Sequence, residues 1–329
     1  VERVLYRSIE RAEKRLSALG LGCWAIGGPL REGATQAGWG TIQDDQSIQG
    51  IRRALELGIT LFDTADVYGA GHSERILGRA LGSRRREVFI ATKFGNTFEE
   101  QSRRITGTDA SPEYIRSACR ASLERLGTDH IDLYQFHLGD YDPQRVGEVL
   151  DTLEGLVREG KIRYYGWSTD DPERARLFAS GAHCVSVQHQ MNVLEDAPAM
   201  ISLCEELGLA SINRGPLAMG LLSGKYGPGS SLPADDVRGP RSPDWMKYFR
   251  EGSPSAEWLA RLEKIRALLT GGGRSLVQGA LGWIWARSPN CIPIPGFKTP
   301  QQVEENARAM SFGPLPPESM SRIAELLGR

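Results

Sequence analysis

The chain alternates. A short β-rich apolar run is followed by a turn and then by an amphipathic stretch, and the plan recurs eight times. The runs fall near "ALGLGCWAIGG" (18–28), "ITLFDTA" (59–65), "EVFIATKFG" (87–95), "IDLYQFHLG" (131–139), "IRYYGWST" (162–169), "CVSVQHQMN" (184–192), "ASINRGPL" (210–217) and "CIPIPGFK" (291–298). Helical patterns lie between them. Ser111-Pro112, Asp142-Pro143 and Asp171-Pro172 each set a side-chain acceptor before a proline whose missing N–H costs nothing in a first turn, so each predicts a helix start. Leu150, Leu153, Leu156 and Val157 then share one apolar face at helical spacing.

Eight βα units predict an α/β fold, a (β/α)8 TIM barrel, as a single domain over residues 1–329. Length alone suggests about two domains, but α/β barrels exceed that rule as one. An open doubly wound sheet would want GxGxxG after its first strand, and "LGLGCWAIGG" does not supply it. Two segments stand outside the repeat. An N-terminal extension, 1–17, is expected to close the bottom of the barrel as a hairpin or helix. A long loop, 224–256, is rich in Gly, Pro and Ser, follows strand seven, and is expected to hang over the catalytic face.

Charge and composition remove several classes. Net charge is −1 and no long basic run occurs, which argues against nucleic acid and anionic membrane as partners. No apolar stretch approaches the ~20 residues of a spanning helix. The opening "VERVLYRSIERAEKR" is charged and is not expected to be a signal peptide. Five scattered cysteines form no CxxC, so reduced thiols in a cytoplasmic protein are expected. His72 and Glu74 have the HxE spacing of zinc deaminases, but no PCxxC follows, and no metal is expected.

Candidate chemistry sits where strands end. In "LFDTADVYGAGHSERILG" (61–78) a buried strand runs into Asp63, with Tyr68 just beyond. Strand three ends in Lys93, one of seven lysines against 33 arginines, and strand four ends in His137. Each alone has an ordinary explanation: a turn cap, a surface lysine, a satisfied core histidine. At one level on three consecutive strands, ~4.8 Å apart, they converge instead, with Tyr68 looping back over them. An ammonium ~4 Å from a phenolate is worth ~4 kcal/mol at an effective dielectric of ~20. That could lower a phenol pKa of ~10 by up to roughly three units. Tyr68 is therefore expected to donate a proton, Asp63 to hold Lys93, and a neutral His137 to orient a carbonyl oxygen. With no serine or cysteine nucleophile evident, the attacking species is expected from a cofactor, and hydride fits best. In the last unit, "IPIPGFKTPQQVEENARAM", Thr299 is an N-cap, Pro300 the first helical residue and Gln302 the third residue of a capping box. Lys298 at that helix mouth, behind Gly296, predicts a phosphate site.

Together with "VQHQMN" and "GPLAMGLLSGKY", these motifs resemble the aldo-keto reductase superfamily from about residue 18 to 311. The resemblance implies NADP(H) extended across the barrel mouth and a small-molecule aldehyde or ketone reduced to an alcohol. Hydride would come from the nicotinamide and the proton from Tyr68, with Asp63, Tyr68, Lys93 and His137 catalytic. It further implies that Ser168 and Gln188 hold the nicotinamide carboxamide. Gly215, Pro216, Leu217, Gly220 and Lys225 would line the pyrophosphate. Lys298 and Gln302, with Gly296 beside them, would meet the 2′-phosphate, and Glu305 and Asn306 the adenine. Trp24 would wall the substrate pocket and, with Asp63, border the cofactor. The sequence departs from the family pattern at three places: Arg214 replaces an aromatic residue on the nicotinamide, Thr169 an asparagine, and Met191 a tyrosine. A planar guanidinium can also stack, so Arg214 stays a nicotinamide contact. The alternative is an NADP(H)-binding, redox-sensing regulatory subunit with little turnover.

Overall fold

In the computed structural model, which describes residues 4–329, the eight apolar runs are the strands of one parallel barrel. They are β1 (Gly20–Gly22), β2 (Leu61–Asp63), β3 (Phe89–Phe94), β4 (Ile131–Phe136), β5 (Ile162–Ser168), β6 (Cys184–Gln190), β7 (Ala210–Arg214) and β8 (Cys291–Pro293). Each pairs with the next in sequence. The ring is joined where Gly22 N donates to Pro295 O at 3.0 Å. The glycines of "LGLG" permit this closure. A Cβ on Gly20 would lie 2.8 Å from Leu61 Cδ2, and one on Gly22 would lie 2.8 Å from the Ile294 carbonyl oxygen. They serve the approach of strands rather than a dinucleotide turn.

Helices α1 (Asp44–Glu56), α2 (His72–Leu81), α3 (Pro112–Leu126), α4 (Val146–Arg158), α5 (Pro172–Phe178), α6 (Pro198–Leu207), α7 (Ala256–Leu269), α8 (Leu276–Arg287), α9 (Pro300–Phe312) and α10 (Pro317–Leu327) surround it. Ser111 caps α3 through Tyr114 N, and Asp171 caps α5 through Glu173 N and Arg174 N. Asp142 caps as well, but the turn it starts is a 3-10 turn, Pro143–Arg145, that leads into α4. On α4, Leu153 and Leu156 are buried and Leu150 and Val157 pack at the margin of the same core.

Strand alternation divides the labour at the ends of β3, β4 and β5. Phe94, Phe136 and Trp167 face outward in a row, and the last two meet Phe178 of α5, with centroids 5.4 Å (Phe94–Phe136), 5.4 Å (Phe136–Trp167) and 5.2 Å (Trp167–Phe178) apart. Such pairs each add ~0.5–1.5 kcal/mol beyond area burial. They clamp the strand ends whose inward-facing neighbours carry the chemistry.

Of the extension 1–17, residues 1–3 lie outside the described residues. The rest is an antiparallel hairpin, Tyr6–Ile9 with Lys14–Ser17. Its Ile9, Ala12 and Leu16 pack into the barrel's lower interior against Leu61, Phe89, Leu133 and Ile292. The segment 224–256 is mostly irregular. Gln36 N donates to Arg241 O at 2.9 Å, Trp39 pairs with Asp236, and Trp245 meets Trp24. The loops after β1 and β3 form a small four-stranded sheet beside it (Arg31–Glu32, Thr35–Gln36, Asn96–Glu99, Arg104–Thr108). Among the described residues no helix is long and apolar enough to cross a membrane.

Candidate active site

Parallel pairing sets Gln135 opposite Lys93, and Asp63 opposite Ala91, two residues before it. Lys93, Gln135 and Asp63 thus point into the same upper layer of the barrel. Lys93 is fully buried, and its Nζ donates to Asp63 Oδ1 at 2.5 Å, to Thr64 O at 2.8 Å and to Tyr68 Oη at 3.3 Å. The second oxygen of Asp63 accepts from Gln135 Nε2 at 2.8 Å and Gln188 Nε2 at 2.7 Å. Tyr68 reaches back over this layer, and its ring lies 6.0 Å from that of His137, edge to face. The four residues surround one point.

Electrostatics sharpen three of them. Burial alone would push the Lys93 ammonium down, but Asp63 and Tyr68 carry it above the usual lysine value, so it stays charged. Burial, then the positive charges of Lys93 and Arg214, hold the His137 imidazolium well below the usual range. The ring is neutral, and Asn96 Nδ2 lies 3.4 Å from its Nδ1. With that amide donating, the proton resides on Nε2, and His137 is a neutral donor. Tyr68 departs from the expectation of an acidified phenol. Its burial is the largest influence and pushes it up, Lys93 pulls it down, Asp63 pushes up again, and the net direction is upward. At 3.3 Å the ammonium would favour a phenolate by ~5 kcal/mol at an effective dielectric of ~20. Desolvation and the carboxylate that neutralises the ammonium outweigh it. The Tyr68 phenol therefore holds its proton more tightly than a free tyrosine does.

The residues expected around a cofactor are spread across the mouth. Ser168 ends β5, buried, while Thr169 Oγ1 is spent on Gly139 O at 2.9 Å. Gln188 commits its amide nitrogen to Asp63 and to Gln135 Oε1, which leaves its own Oε1 for a ligand. Arg214 pairs with Asp170 and donates to Gln190 Oε1 at 3.2 Å, so its guanidinium is fixed at the end of β7. Met191 is buried in the apolar cluster with Leu194 and Leu221. Gly215 follows with φ +62°, and any Cβ there would lie 2.5 Å from Gln190 Oε1. Pro216 and Leu217 lead into a tight turn whose Met219 and Gly220 are left-handed, at φ 56° and 92°.

Lys298 is half-buried and donates to Trp39 O at 2.7 Å. The capping box at α9 is half of what was expected. Thr299 accepts from Gln302 N at 3.4 Å, but Gln302 Oε1 takes the N–H of Lys298 rather than of the cap residue. Asn306 is buried with Nδ2 3.5 Å from the Gly296 carbonyl, and Glu305 is half-exposed one residue earlier. Lys225 is exposed on the far side of the turn.

An anionic group fits this donor set. Arg238 donates to Asp236 and to Met219 O at 3.0 Å. Burial lowers the Lys298 pKa, and Arg238 and Lys225 lower it further while Asp236 offsets them. The indole N–H of Trp39 is buried without a partner. Crowded cations and an idle donor at a helix N-terminus are what a phosphate would compensate.

Gln135, Asn96, Arg238 and Trp39 were absent from the sequence-based set. Gln135 had a signal, since it precedes His137 by two on a strand and shares its face. Asn96 opens a short strand of the accessory sheet, and Arg238 and Trp39 lie in irregular segments, where no period betrays them.

The profile of the aldo/keto reductase family matches residues 18–327. Pyridoxal reductase of Arabidopsis thaliana (chloroplastic) is 33% identical over 93% of this chain and 82% of its own length. The aldo-keto reductase yakc of Schizosaccharomyces pombe, whose name carries NADP(+), is 31% identical over 89% of this chain and 83% of its own. The structure of glycerol dehydrogenase AKR11B4 from Gluconobacter oxydans superposes with a TM-score of 0.81 at 31% identity, covering 98% of this chain and 95% of that one.

Proposed function

The chain belongs to the aldo/keto reductase family and is an NAD(P)H-dependent oxidoreductase, and from that premise we propose that it reduces an aldehyde or ketone to the alcohol with NADPH. The observation that carries this reading is Lys93 Nζ lying between Asp63 and the Tyr68 hydroxyl beneath a neutral His137.

The dihydronicotinamide supplies the hydride when bound. The rest falls to the chain. His137 Nε2–H donates to the carbonyl oxygen and draws charge toward it. As that oxygen becomes an alkoxide it exceeds phenolate in basicity, and Tyr68 gives it a proton. Lys93 then stabilises the phenolate left behind. A raised phenol pKa suits this order of events, because the donor holds its proton until the alkoxide develops. Asp63 keeps Lys93 charged and aimed, and Gln135 and Gln188 keep Asp63 in place. The cations near Lys298 support NADPH over NADH, since the added 2′-phosphate is what they would pair with. Five free, buried cysteines support a reducing compartment, the cytoplasm.

The names of the relatives divide on substrate, one pointing to an aldehyde on an aromatic ring and one to a small polyol. The test is NADPH oxidation, followed by absorbance, over a panel of aromatic, aliphatic and polyhydroxy carbonyls. Carbonyl-dependent oxidation is expected. Tight NADPH binding with no oxidation anywhere in the panel refutes the reading and fits a regulatory subunit instead.

A further inference from the structure

Arg214 brings a second cation to the barrel mouth, above Lys93. β6 and β7 pair in register, with Gln188 opposite Ile212 and Gln190 opposite Arg214. Gln188 faces inward onto Asp63, so strand alternation turns Gln190 and Arg214 inward as well, one pleat nearer the mouth. Two partners fix the guanidinium. One nitrogen pairs with Asp170 and another donates to Gln190 Oε1 at 3.2 Å. Each partner is itself anchored. Asp170 Oδ1 accepts from the Gln190 N–H at 2.7 Å, and Gln190 Nε2 donates to the Tyr248 hydroxyl at 3.1 Å. Asp170 is the more exposed of the pair, so water screens its charge more than that of the guanidinium. The positive charge therefore still reaches inward. After burial and nearer charges have acted on Tyr68 and His137, Arg214 adds a pull toward the less protonated form of each.

We propose that Arg214 lets this site tell the reduced cofactor from the oxidised one by charge, favouring NADPH over NADP+, with Asp170 setting the strength of the preference. The proposal rests on the NADPH-dependent reductase reading above and adds the direction of turnover that the site supports. A ring that passes hydride to a carbonyl carbon lies against that carbon, and the carbonyl oxygen is held at Tyr68 and His137. The ring is therefore in the field of the same guanidinium. Hydride leaves with both electrons, so the neutral dihydronicotinamide becomes a pyridinium with one positive charge. The carbonyl takes up that hydride and a proton to become the alcohol. A fixed cation repels the pyridinium and is indifferent to the neutral ring. An aromatic side chain at the same place would do the reverse, since its face attracts a cation. Arg214 thus weakens the complex with spent cofactor, which speeds its release and limits product inhibition. As the ring turns positive, the carbonyl oxygen turns negative, and Arg214 attracts the one while repelling the other. Turnover mixes these opposed effects, and equilibrium binding separates them.

The experiment measures Kd for NADPH and for NADP+ by titration calorimetry, at neutral pH and fixed ionic strength, in wild type, Arg214→Gln, Arg214→Lys and Asp170→Asn. The quantity read is the ratio of the NADP+ constant to the NADPH constant. Arg214→Gln should lower that ratio about fivefold, whereas Arg214→Lys, which keeps the charge, should stay within about twofold of wild type. Asp170→Asn keeps an oxygen for the Gln190 N–H but removes the counter-charge, so the ratio should rise about threefold. A side chain that merely shapes the loop would weaken both nucleotides together and leave the ratio alone. A ratio in Arg214→Gln within about twofold of wild type, or a fall in Asp170→Asn, overturns the proposal and leaves the reductase reading standing. If Arg214→Gln does not fold, the sign of the change in Asp170→Asn decides alone. A wild type that binds neither nucleotide overturns both.

Discussion

Replacing Asp63 by asparagine removes the counter-charge of a fully buried ammonium while preserving shape. Asp63 Oδ1 is 2.5 Å from Lys93 Nζ, and neither residue is more than 2% exposed. Breaking such a pair from one side costs ~3–5 kcal/mol, because the remaining charge is stranded. For a domain of this length that corresponds to a fall in Tm of about 4–7 °C. The pH dependence is more telling than the size. In the wild type the Lys93 pKa is raised above its unfolded value. Its contribution is therefore complete below about pH 10.4 and is lost only as pH rises through the folded value. Between pH 7 and 9 it is constant. In Asp63→Asn, burial, the largest influence, is opposed only by Tyr68, and the folded pKa of Lys93 drops below the unfolded one. The penalty is then greatest at low pH and shrinks as Lys93 sheds its proton, so the gap to wild type narrows from about pH 7 toward pH 9.5. Urea unfolding across that range measures it. Asp63→Asn combined with Lys93→Met should be more stable than Asp63→Asn alone, since no charge is stranded. A single variant as stable as wild type at pH 7, or a gap independent of pH, would refute the claim that Asp63 keeps Lys93 charged.

Lys298→Met should raise KM for NADPH about tenfold or more and KM for NADH little; steady-state kinetics with both cofactors decide, and equal effects would remove Lys298 from the 2′-phosphate site. His137 titrates well below pH 6.5 and Tyr68 above the usual phenol value, so kcat/KM for reduction should be flat between about pH 6.5 and pH 9. An acid limb centred near pH 6.5 that vanishes in His137→Gln would contradict the buried, neutral ring. Gly69→Ala should destabilise severely, because the new Cβ would fall 1.9 Å from the Gly27 carbonyl oxygen at φ +61°. We expect a loss of at least ~3 kcal/mol by calorimetry, and a loss under about 1 kcal/mol would mean this turn can relax.

The barrel was legible because each strand is a short apolar run bracketed by caps and turns, and eight such runs admit few architectures. Asp63, Lys93 and His137 were legible because they break that apolar pattern at its end. The sign of the Tyr68 shift was not, since sequence shows a nearby lysine but not the burial of the phenol or the share of the charge taken by Asp63. Lys298 and its helix start could be read from Thr299-Pro300, yet the box closed on the Lys298 N–H because Gln302 reaches one residue further back. Arg238 and Trp245 belong to the segment after β7. There the chain is ordered by individual contacts to Asp236, Tyr226 and Trp24, and no periodicity records them.

Tyr68→Phe tests the central claim most directly, measured as NADPH-dependent reduction of a reactive aldehyde alongside NADPH affinity by fluorescence titration. Loss of the hydroxyl that Lys93 holds at 3.3 Å should lower kcat by about a thousandfold while the dissociation constant for NADPH changes less than about threefold. Turnover within about tenfold of wild type would show that the proton comes from elsewhere.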